Sequence, residues 1–462
     1  MQSTSTWFAL RNPVFLRIWL ASVLSATLLS AQDVTATWLM HDLGASFSLS
    51  LMATATSTPL LLFALPAGII ADMASRRTLI LAAVGWQAVC SALLAAGAWT
   101  HVLGINSVLA CIFALGIGIA FSAPVWSAIV PDLVSKEELP SAVTLGGVQV
   151  NIAGIIGPAL GGVLLPMLGA PVLIAINSLM FLIIGLVILG WKPRPSQPNK
   201  QPESFKESFV GSLRYAVHSQ RIRIVLFRNF LFSLAVCAIP ALLPVVMLKE
   251  LERSAAILGL AFTCVAIGSL TGAAFLLPYL RERISPNAIT LAATGIMVAV
   301  LLAMAIVRNA PAMFAYSAAA GVAWALAGSE LWLVGQRILP REVRGRMNAY
   351  LIMAGQGGIA LGSLLLATGA SHAGLCLTLV AAATLALVGL GLGYRFSINF
   401  PRKDGPDAPQ AGADTLPTSE EQNEETIGYF INSVCRITGY DKCAEKPDGS
   451  QAGTETKIHP GA

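Results

Sequence analysis

Twelve long hydrophobic runs, separated by short polar segments, dominate the chain. Each run holds about 20 or more mostly apolar residues, the length that an α-helix needs to cross a bilayer. Runs of this length exceed the strands of a membrane barrel, and helices satisfy their backbone polar groups internally. The pattern therefore predicts an all-α membrane protein with twelve transmembrane helices. The predicted spans are 15–40, 49–71, 78–100, 105–130, 142–168, 172–191, 226–248, 255–280, 288–307, 312–336, 347–370 and 374–396.

The longest polar segment between spans divides them six and six. It begins as a Pro-rich linker, WKPRPSQPNKQPES, and then places apolar residues at helical spacing among basic ones, namely Phe205, Phe209, Leu213 and Val217. This second part is either an amphipathic helix on the membrane surface or a solvated tether between two bundles. The predicted domains are an N-terminal bundle at 1–191, a linker at 192–225, a C-terminal bundle at 226–396 and a tail at 397–462.

The two halves repeat one another weakly. The segment AIVPDLVSKEELPSA after span 4 is similar to RILPREVRGRMNA after span 10, so that Pro131 corresponds to Pro340 and Ala142 to Ala349. Two six-helix halves related by internal repetition are typical of secondary transporters, whose binding site lies between the halves near the bilayer midplane. We therefore predict two pseudo-symmetric six-helix bundles.

Basic residues are distributed unevenly among the connections. The loops 41–48, 101–104, 169–171, 249–254, 308–311 and 371–373 hold three Lys or Arg, whereas the rest of the chain through residue 403 holds 22. Cytoplasmic segments carry the excess of Lys and Arg. This distribution predicts a multi-pass membrane protein whose two termini are both cytoplasmic.

Composition excludes several other classes of protein. Hydrophobic residues make up 55% of the chain and charged residues 11%, with a mean hydropathy of +0.72, against about 25% charged residues in soluble domains. A soluble enzyme, a nucleic-acid-binding protein and a disordered scaffold do not fit these values. Residues 401–462 hold 6 Lys or Arg and 11 Asp or Glu, so we expect a disordered acidic tail.

The chain offers no enzymatic motif. It contains no Gly-Lys-Ser/Thr phosphate loop, no His-Glu-x-x-His and no Gly-x-Ser-x-Gly, and its cysteines are scattered singly without a metal-ligand spacing. We expect no catalytic residues, no cofactor and no metal. The expected partners are a small-molecule substrate, protons or another cation, and the lipid bilayer, with no nucleic acid, and we expect a monomer.

Two acidic residues lie within the predicted spans, Asp33 in span 1 and Glu330 in span 10. A charge at the bilayer centre costs about 2.5–3.5 kcal/mol on insertion scales, so such residues are usually functional. A carboxyl group that binds a proton on one side and releases it on the other couples proton flow to a conformational change. The alternative is a protonated carboxyl group that only joins neighbouring helices. Polar and aromatic residues at similar depths are candidates for the transport path: Trp38, Trp126, Gln149 and Asn151.

The connection between spans 2 and 3 reads LPAGIIADMASRRTLI. We predict that Gly68 allows close approach of helices, and that Asp72, Arg76 and Arg77 form a cytoplasmic gate. An acidic residue near a helix N-terminus of the neighbouring half would hold that side closed until a competing charge releases it. The alternative is a set of arginines that only determine topology.

Small residues form contact surfaces in several spans. Span 5 contains NIAGIIGPALGG, whose small residues let two helices touch backbone to backbone, and Pro158 weakens the helix locally. We predict that span 8 supplies the partner surface through Gly268 and Gly272, and that such surfaces allow the halves to rock. The small residues of span 5 are Gly154, Gly157, Gly161 and Gly162.

These motifs resemble those of the major facilitator superfamily over residues 10–400. Gly68, Asp72, Arg76 and Arg77 match its Gly-x-x-x-Asp-Arg-x-Gly-Arg-Arg signature, although Met73 and Ser75 depart from it. The run Gly157-Pro158-x-x-Gly161-Gly162 is similar to the end of the helix 5 signature of drug/proton antiporters, with Ala153 in place of an upstream Gly.

The segments NPVFLRIWLAS, QDVTATWLM, LPAGIIAD, PREVRGRMNAY and GQGGIALGS resemble the transmembrane secretion effector branch of bacterial drug and siderophore exporters, which includes the enterobactin exporter and relatives of macrolide efflux proteins. Asp33 falls in a recurring stretch of helix 1 in that branch. Drug antiporters usually carry an Arg in helix 4, whereas no basic residue lies between His101 and Lys136 here.

The resemblance implies the major facilitator fold, a location in the bacterial cytoplasmic (inner) membrane, and export of a small amphiphilic compound, such as a drug, siderophore or metabolite, by proton antiport through alternating access. Asp33 is then the principal proton or cation site, with Glu330 secondary. Two alternatives remain open: translocation of lysophospholipids, and a transport-inactive membrane receptor or scaffold that recruits partners through its acidic tail.

Overall fold

The computed structural model describes residues 7–44, 47–135, 137–190, 213–214, 216–338 and 344–399, without the side chains of 47, 72, 127, 128 and 344–346. Within these ranges, twelve helices are long and apolar enough to cross a membrane, which confirms the predicted fold class. Their bounds are α1 Pro13–Asp42, α2 Leu51–Met73, α3 Arg76–Trp99, α4 Ile105–Leu133, α5 Leu139–Leu168, α6 Ala170–Gly190, α7 Gln220–Glu250, α8 Ala255–Arg281, α9 Pro286–Ile306, α10 Ala310–Ile338, α11 Arg344–His372 and α12 Leu375–Arg395.

Local signals explain where several helices begin and turn. The Asn12 side chain accepts hydrogen bonds from the backbone N–H groups of Val14 and Phe15, and Pro13 occupies the first position of α1. Gly169 joins α5 to α6 with a φ of +79°, and Gly374 joins α11 to α12 with a φ of +81°. Because side chains other than hydrogen disfavour this conformation, glycine permits both tight turns.

The predicted spans agree with the helices to within a few residues, except in the linker. Helix α7 begins at Gln220, six residues before the predicted start at 226, so the end of the predicted linker belongs to a membrane span. Leu213 and Val217 are exposed, while 192–212 and the tail from 400 onward lie outside the described residues. The domain boundaries therefore stay a prediction.

The helix packing repeats between the first six and the last six spans. Helix α1 packs against α5 and α6, α3 packs against α4 and α6, and α2 packs against α4. Adding six to each number gives pairs that also pack: α7 with α11 and α12, α9 with α10 and α12, and α8 with α10. The halves meet where α2 packs against α11 and α5 against α8. This is the pseudo-symmetry that the weak sequence repeat predicts.

The two faces of the membrane-spanning bundle serve as references for depth. We call the face at which α1 begins the near face and the one at which it ends the far face, so even-numbered helices run from far to near. Thr54 in α2 and Ser363 in α11 form a hydrogen bond between their hydroxyl oxygens at 2.7 Å, which joins the two halves toward the far face.

Candidate functional site

Asp33 lies on the interior face of α1. Ala36 and Thr37, which follow Asp33 by three and four residues, are 0% and 7% exposed. Because each helical residue turns by about 100°, both point within about 60° of the direction of Asp33, so other helices cover this side of α1. The remaining sides are also occupied: Ala31 contacts Gly161 of α5, and Gln32 contacts α3 and α6. Asp33 is nevertheless exposed, so its carboxylate faces the space between the helices.

The Asp33 carboxylate has no hydrogen-bond or ion-pair partner among the side chains that the structure describes. Its neighbours Gln32 and Val34 are 1% and 2% exposed, and its own backbone carbonyl accepts a hydrogen bond of 2.7 Å from the Thr37 hydroxyl. A charge at this depth without a counter-charge is costly. Binding of a proton or of a cationic group removes that cost, which makes Asp33 suitable as a coupling residue.

A buried polar cluster lies beside Asp33 on the flank of α1. The Gln32 Oε1 atom accepts hydrogen bonds from the Ser91 hydroxyl at 2.7 Å and from Asn177 Nδ2 at 2.6 Å. Gln32 Nε2 and Asn177 Oδ1 are buried without a partner. The cluster joins α1, α3 and α6 inside the first half, so Gln32 anchors the helix that presents Asp33.

Glu330 in α10 is 1% exposed, and its carboxylate accepts a hydrogen bond from Arg281 at the near end of α8. Both helices belong to the second half, so the ion pair does not bridge the halves. Asp33 lies nine residues from the far end of α1, and Glu330 lies eight residues from the near end of α10. At about 1.5 Å per residue the two acids occupy opposite halves of the bilayer, and the structure does not bring them together.

The predicted path residues are dispersed. The Trp38 ring lies 5.4 Å from that of His41 toward the far face, while Trp126 in α4 packs against the hydrophobic core toward the near face. Gln149 accepts a hydrogen bond from the Ser22 hydroxyl at 3.1 Å. Asn151 Nδ2 donates to the Gly147 carbonyl oxygen one turn earlier in α5 at 2.9 Å. None of these four side chains forms a hydrogen bond with Asp33 in the part of the chain that the structure describes.

The two arginines of the predicted gate are engaged within the first half. Arg76 forms an ion pair with Asp132 at the near end of α4 at 2.7 Å, and Arg77 donates a hydrogen bond to the Leu189 carbonyl oxygen at the end of α6. A Cβ at Gly68 would meet no atom within 4 Å, so the expected close approach at Gly68 is absent from this structure. The Asp72 side chain lies outside the described residues, and the gate stays a prediction.

The small residues of α5 contact two helices on two sides. A Cβ at Gly157 would lie 2.6 Å from the Thr27 carbonyl oxygen of α1, and one at Gly161 would lie 2.6 Å from that of Ala31. On the other side, a Cβ at Gly162 would lie 2.7 Å from the Ala255 carbonyl oxygen of α8. Each distance is too short for a side chain, so backbones touch here, as small residues in membrane helices permit.

The partner surface predicted on α8 is wrong in one respect. Gly268 and Gly272 contact α10, at Ala318 and Val322, rather than α5. The glycine of α8 that meets α5 is Gly259, which lies against the Pro158 backbone. Gly154 has only ordinary contact with Ala266, at 3.4 Å for an added Cβ. The spacing of glycines along a helix indicates a close contact with another helix, but it does not identify which neighbouring helix makes that contact.

Sequence reasoning missed Arg228, which is 5% exposed within α7. One nitrogen, Nη1, donates to Asn287 Oδ1 at 2.6 Å and to the carbonyl oxygens of Gly393 at 2.8 Å and Phe396 at 3.1 Å. The other, Nη2, donates to the Thr290 hydroxyl at 2.6 Å. The sequence did contain a signal for it, since Arg228 is a basic residue inside the predicted span 226–248.

Metal ligands do not cluster in the described part of the chain, where no three His, Cys, Asp or Glu side chains converge.

Comparison with known proteins agrees with this architecture. The chain matches a model of the transmembrane secretion effector family over residues 4–420. It is 26% identical to the staphyloferrin A transporter of Staphylococcus aureus over 315 residues, which cover 67% of this chain and 77% of that protein. It is 27% identical to the enterobactin exporter of Citrobacter koseri over 397 residues, which cover 82% and 89%.

Solved structures show the same fold. A bacterial homologue of the human lysosomal transporter Spinster, in an inward-facing and occupied conformation, superimposes with a TM-score of 0.65 at 14% identity, covering 84% of this chain and 97% of that one. The chain therefore belongs to the transmembrane secretion effector family of the major facilitator superfamily, and it is a secondary transporter rather than an enzyme.

Proposed function

We propose that this transporter exports a small amphiphilic compound in exchange for protons, by alternating access between two pseudo-symmetric bundles. The observation that carries the proposal is the Asp33 carboxylate, which faces the interior of the helix bundle without a counter-charge. Siderophores, drugs and other metabolites are the proposed cargo classes. The staphyloferrin A and enterobactin transporters among its relatives support siderophore export in particular.

The exchange follows from the charge of Asp33. When the carboxylate is ionised, its uncompensated charge within the span favours a state that admits protons or cationic groups, and protonation removes that preference. A proton that binds from one face and leaves to the other therefore links the proton gradient to the change of state. The membrane potential adds about 2.3 kcal/mol per charge per 100 mV.

The contacts between the two halves indicate which helices must move apart during alternating access. The backbone contact of α5 with α8 lies toward the far face, at Gly162 and Ala255, and Thr54 meets Ser363 in the same half of the bilayer. Opening the far side requires these contacts to separate. We propose that the near face is cytoplasmic, as the excess of basic residues there supports, and that Asp72, Arg76 and Arg77 hold that face when the far side opens.

The test is transport by purified protein in liposomes with an imposed pH gradient, using a panel of dyes, antibiotics and iron chelators. Asp33→Asn removes the titratable group and keeps the size of the side chain, so we expect normal assembly and loss of transport driven by the pH gradient. Asp42→Asn is the matched control, because it makes the same change at an exposed position at the end of the same helix. Equal gradient-driven transport by the two variants would exclude Asp33 from coupling.

A further inference from the structure

The Arg228 guanidinium is a buried positive charge that the proposed transport cycle does not use. All four of its hydrogen bonds reach neutral oxygen atoms, in Asn287, Thr290 and the backbone of Gly393 and Phe396. No carboxylate pairs with it among the residues that the structure covers. Removing a charge from water without a counter-charge is expensive, and neutral acceptors offset only part of that cost.

The guanidinium retains hydrogen-bonding capacity. An arginine side chain has five N–H groups. Three acceptors converge on Nη1 and one lies against Nη2, so the second N–H of Nη2 and the N–H of Nε have no acceptor among the described atoms. Arg228 therefore presents both a full charge and unused donors.

A small cavity that Arg228 helps to line lies between α7, α9, α10 and α12. Its polar lining comes from Arg228, Thr290 and Thr294, and the remaining lining is mostly apolar: Leu231, Phe232, Ala327, Leu331 and Gly389. The centre of a water-sized sphere can occupy about 10 Å³ of this cavity, so it has room for one small ion or water molecule. The apolar lining lowers the local dielectric and strengthens attraction between the guanidinium and an anion.

We propose that this cavity binds a small monovalent inorganic anion, with chloride as the abundant candidate. The guanidinium selects negative charge over a neutral molecule, and the small size of the cavity favours a small ion over a substrate-sized anion. A bound anion would neutralise Arg228 where it joins α7 to α9 and to the end of α12. The anion would therefore stabilise the packing of these three helices in the second half.

The experiment measures thermal unfolding of the purified full-length protein in lipid nanodiscs, with sodium chloride titrated against sodium gluconate at constant ionic strength. A ligand that binds only the folded state raises its stability with the logarithm of concentration above Kd. We expect chloride, and not gluconate, to raise the melting temperature by a few degrees, and bromide to substitute for chloride. Equal melting temperatures in chloride and gluconate would overturn the proposal and leave a water molecule as the occupant.

Three variants locate the effect. Arg228→Gln should abolish the difference between chloride and gluconate, whereas Arg283→Gln, which removes the same charge from an exposed side chain, should preserve it. Gly389→Ala keeps Arg228, and its added methyl group meets only Leu231 Cβ, at 4.0 Å, while reducing the room in the cavity. It should weaken chloride binding even if Arg228→Gln fails to fold. A chloride effect that is unchanged in Gly389→Ala, or retained in Arg228→Gln, would place the anion elsewhere.

Discussion

Asp33 and Arg228 both lie within membrane spans without an opposite charge against them in the described part of the chain, yet their surroundings differ. Asp33 is exposed toward the interior of the bundle and its carboxylate has no hydrogen-bond or ion-pair partner among the described side chains, whereas Arg228 is 5% exposed and makes four hydrogen bonds. An unpartnered exposed acid can change protonation as the bundle opens and closes. An arginine keeps its proton and can respond only by binding an anion or moving its acceptors.

Glu330 shows a third environment, because Arg281 compensates its charge. Arg281→Gln leaves a carboxylate that is 1% exposed without its ion-pair partner, so we expect a loss of about 1–3 kcal/mol of stability. The partial exposure of Arg281 keeps the loss below the value for a fully buried pair. The double variant Arg281→Gln/Glu330→Gln should recover much of it. Thermal unfolding of the two single variants and the double variant forms a double-mutant cycle, and additive effects would exclude the coupling.

At the scale of helices, the spacing of glycines identifies positions of backbone contact and leaves the partner open. Gly162 provides a direct test, since a Cβ there would lie 2.7 Å from the Ala255 carbonyl oxygen of α8. Gly162→Ala should force α5 and α8 apart, lower stability by about 1–3 kcal/mol and slow transport several-fold. Gly146→Ala makes the same change in the same helix where a Cβ meets nothing within 4 Å. We expect it to keep wild-type transport, and equal behaviour of the two variants in unfolding and flux assays would contradict the assigned contact.

The twelve helices could be predicted because hydropathy is a local property, and a span of about 20 apolar residues has few alternatives in a membrane. The start of α7 was misplaced because Arg221 and Arg223 lower the hydropathy of its first turn. The partners of the site residues depend on how helices are rotated against one another. The pair of Glu330 with Arg281 joins positions 49 residues apart, and no periodicity along one helix encodes it.

At the scale of the whole molecule, each half secures the end of its last helix with an arginine. Arg77 at the start of α3 donates to the Leu189 carbonyl oxygen of α6, and Arg228 in α7 donates to those of Gly393 and Phe396 at the end of α12. A positive charge at a helix C-terminus is favourable because it complements the helix dipole. The architecture of the halves is therefore repeated, while the residue that secures the last helix comes from a different helix in each.

Alternating access requires the halves to separate at the far face, and Thr54 and Ser363 allow that step to be blocked. Their hydroxyl oxygens lie 2.7 Å apart across the α2–α11 contact, so cysteines at both positions lie within reach of a disulfide. In a background without the seven native cysteines, oxidation of Thr54→Cys/Ser363→Cys should arrest transport in liposomes, and a reductant should restore it. The single-cysteine variants should be insensitive to oxidant. Full transport by a completely cross-linked protein would mean that the far side opens without separating α2 from α11, and would exclude rocking of the two halves about this contact.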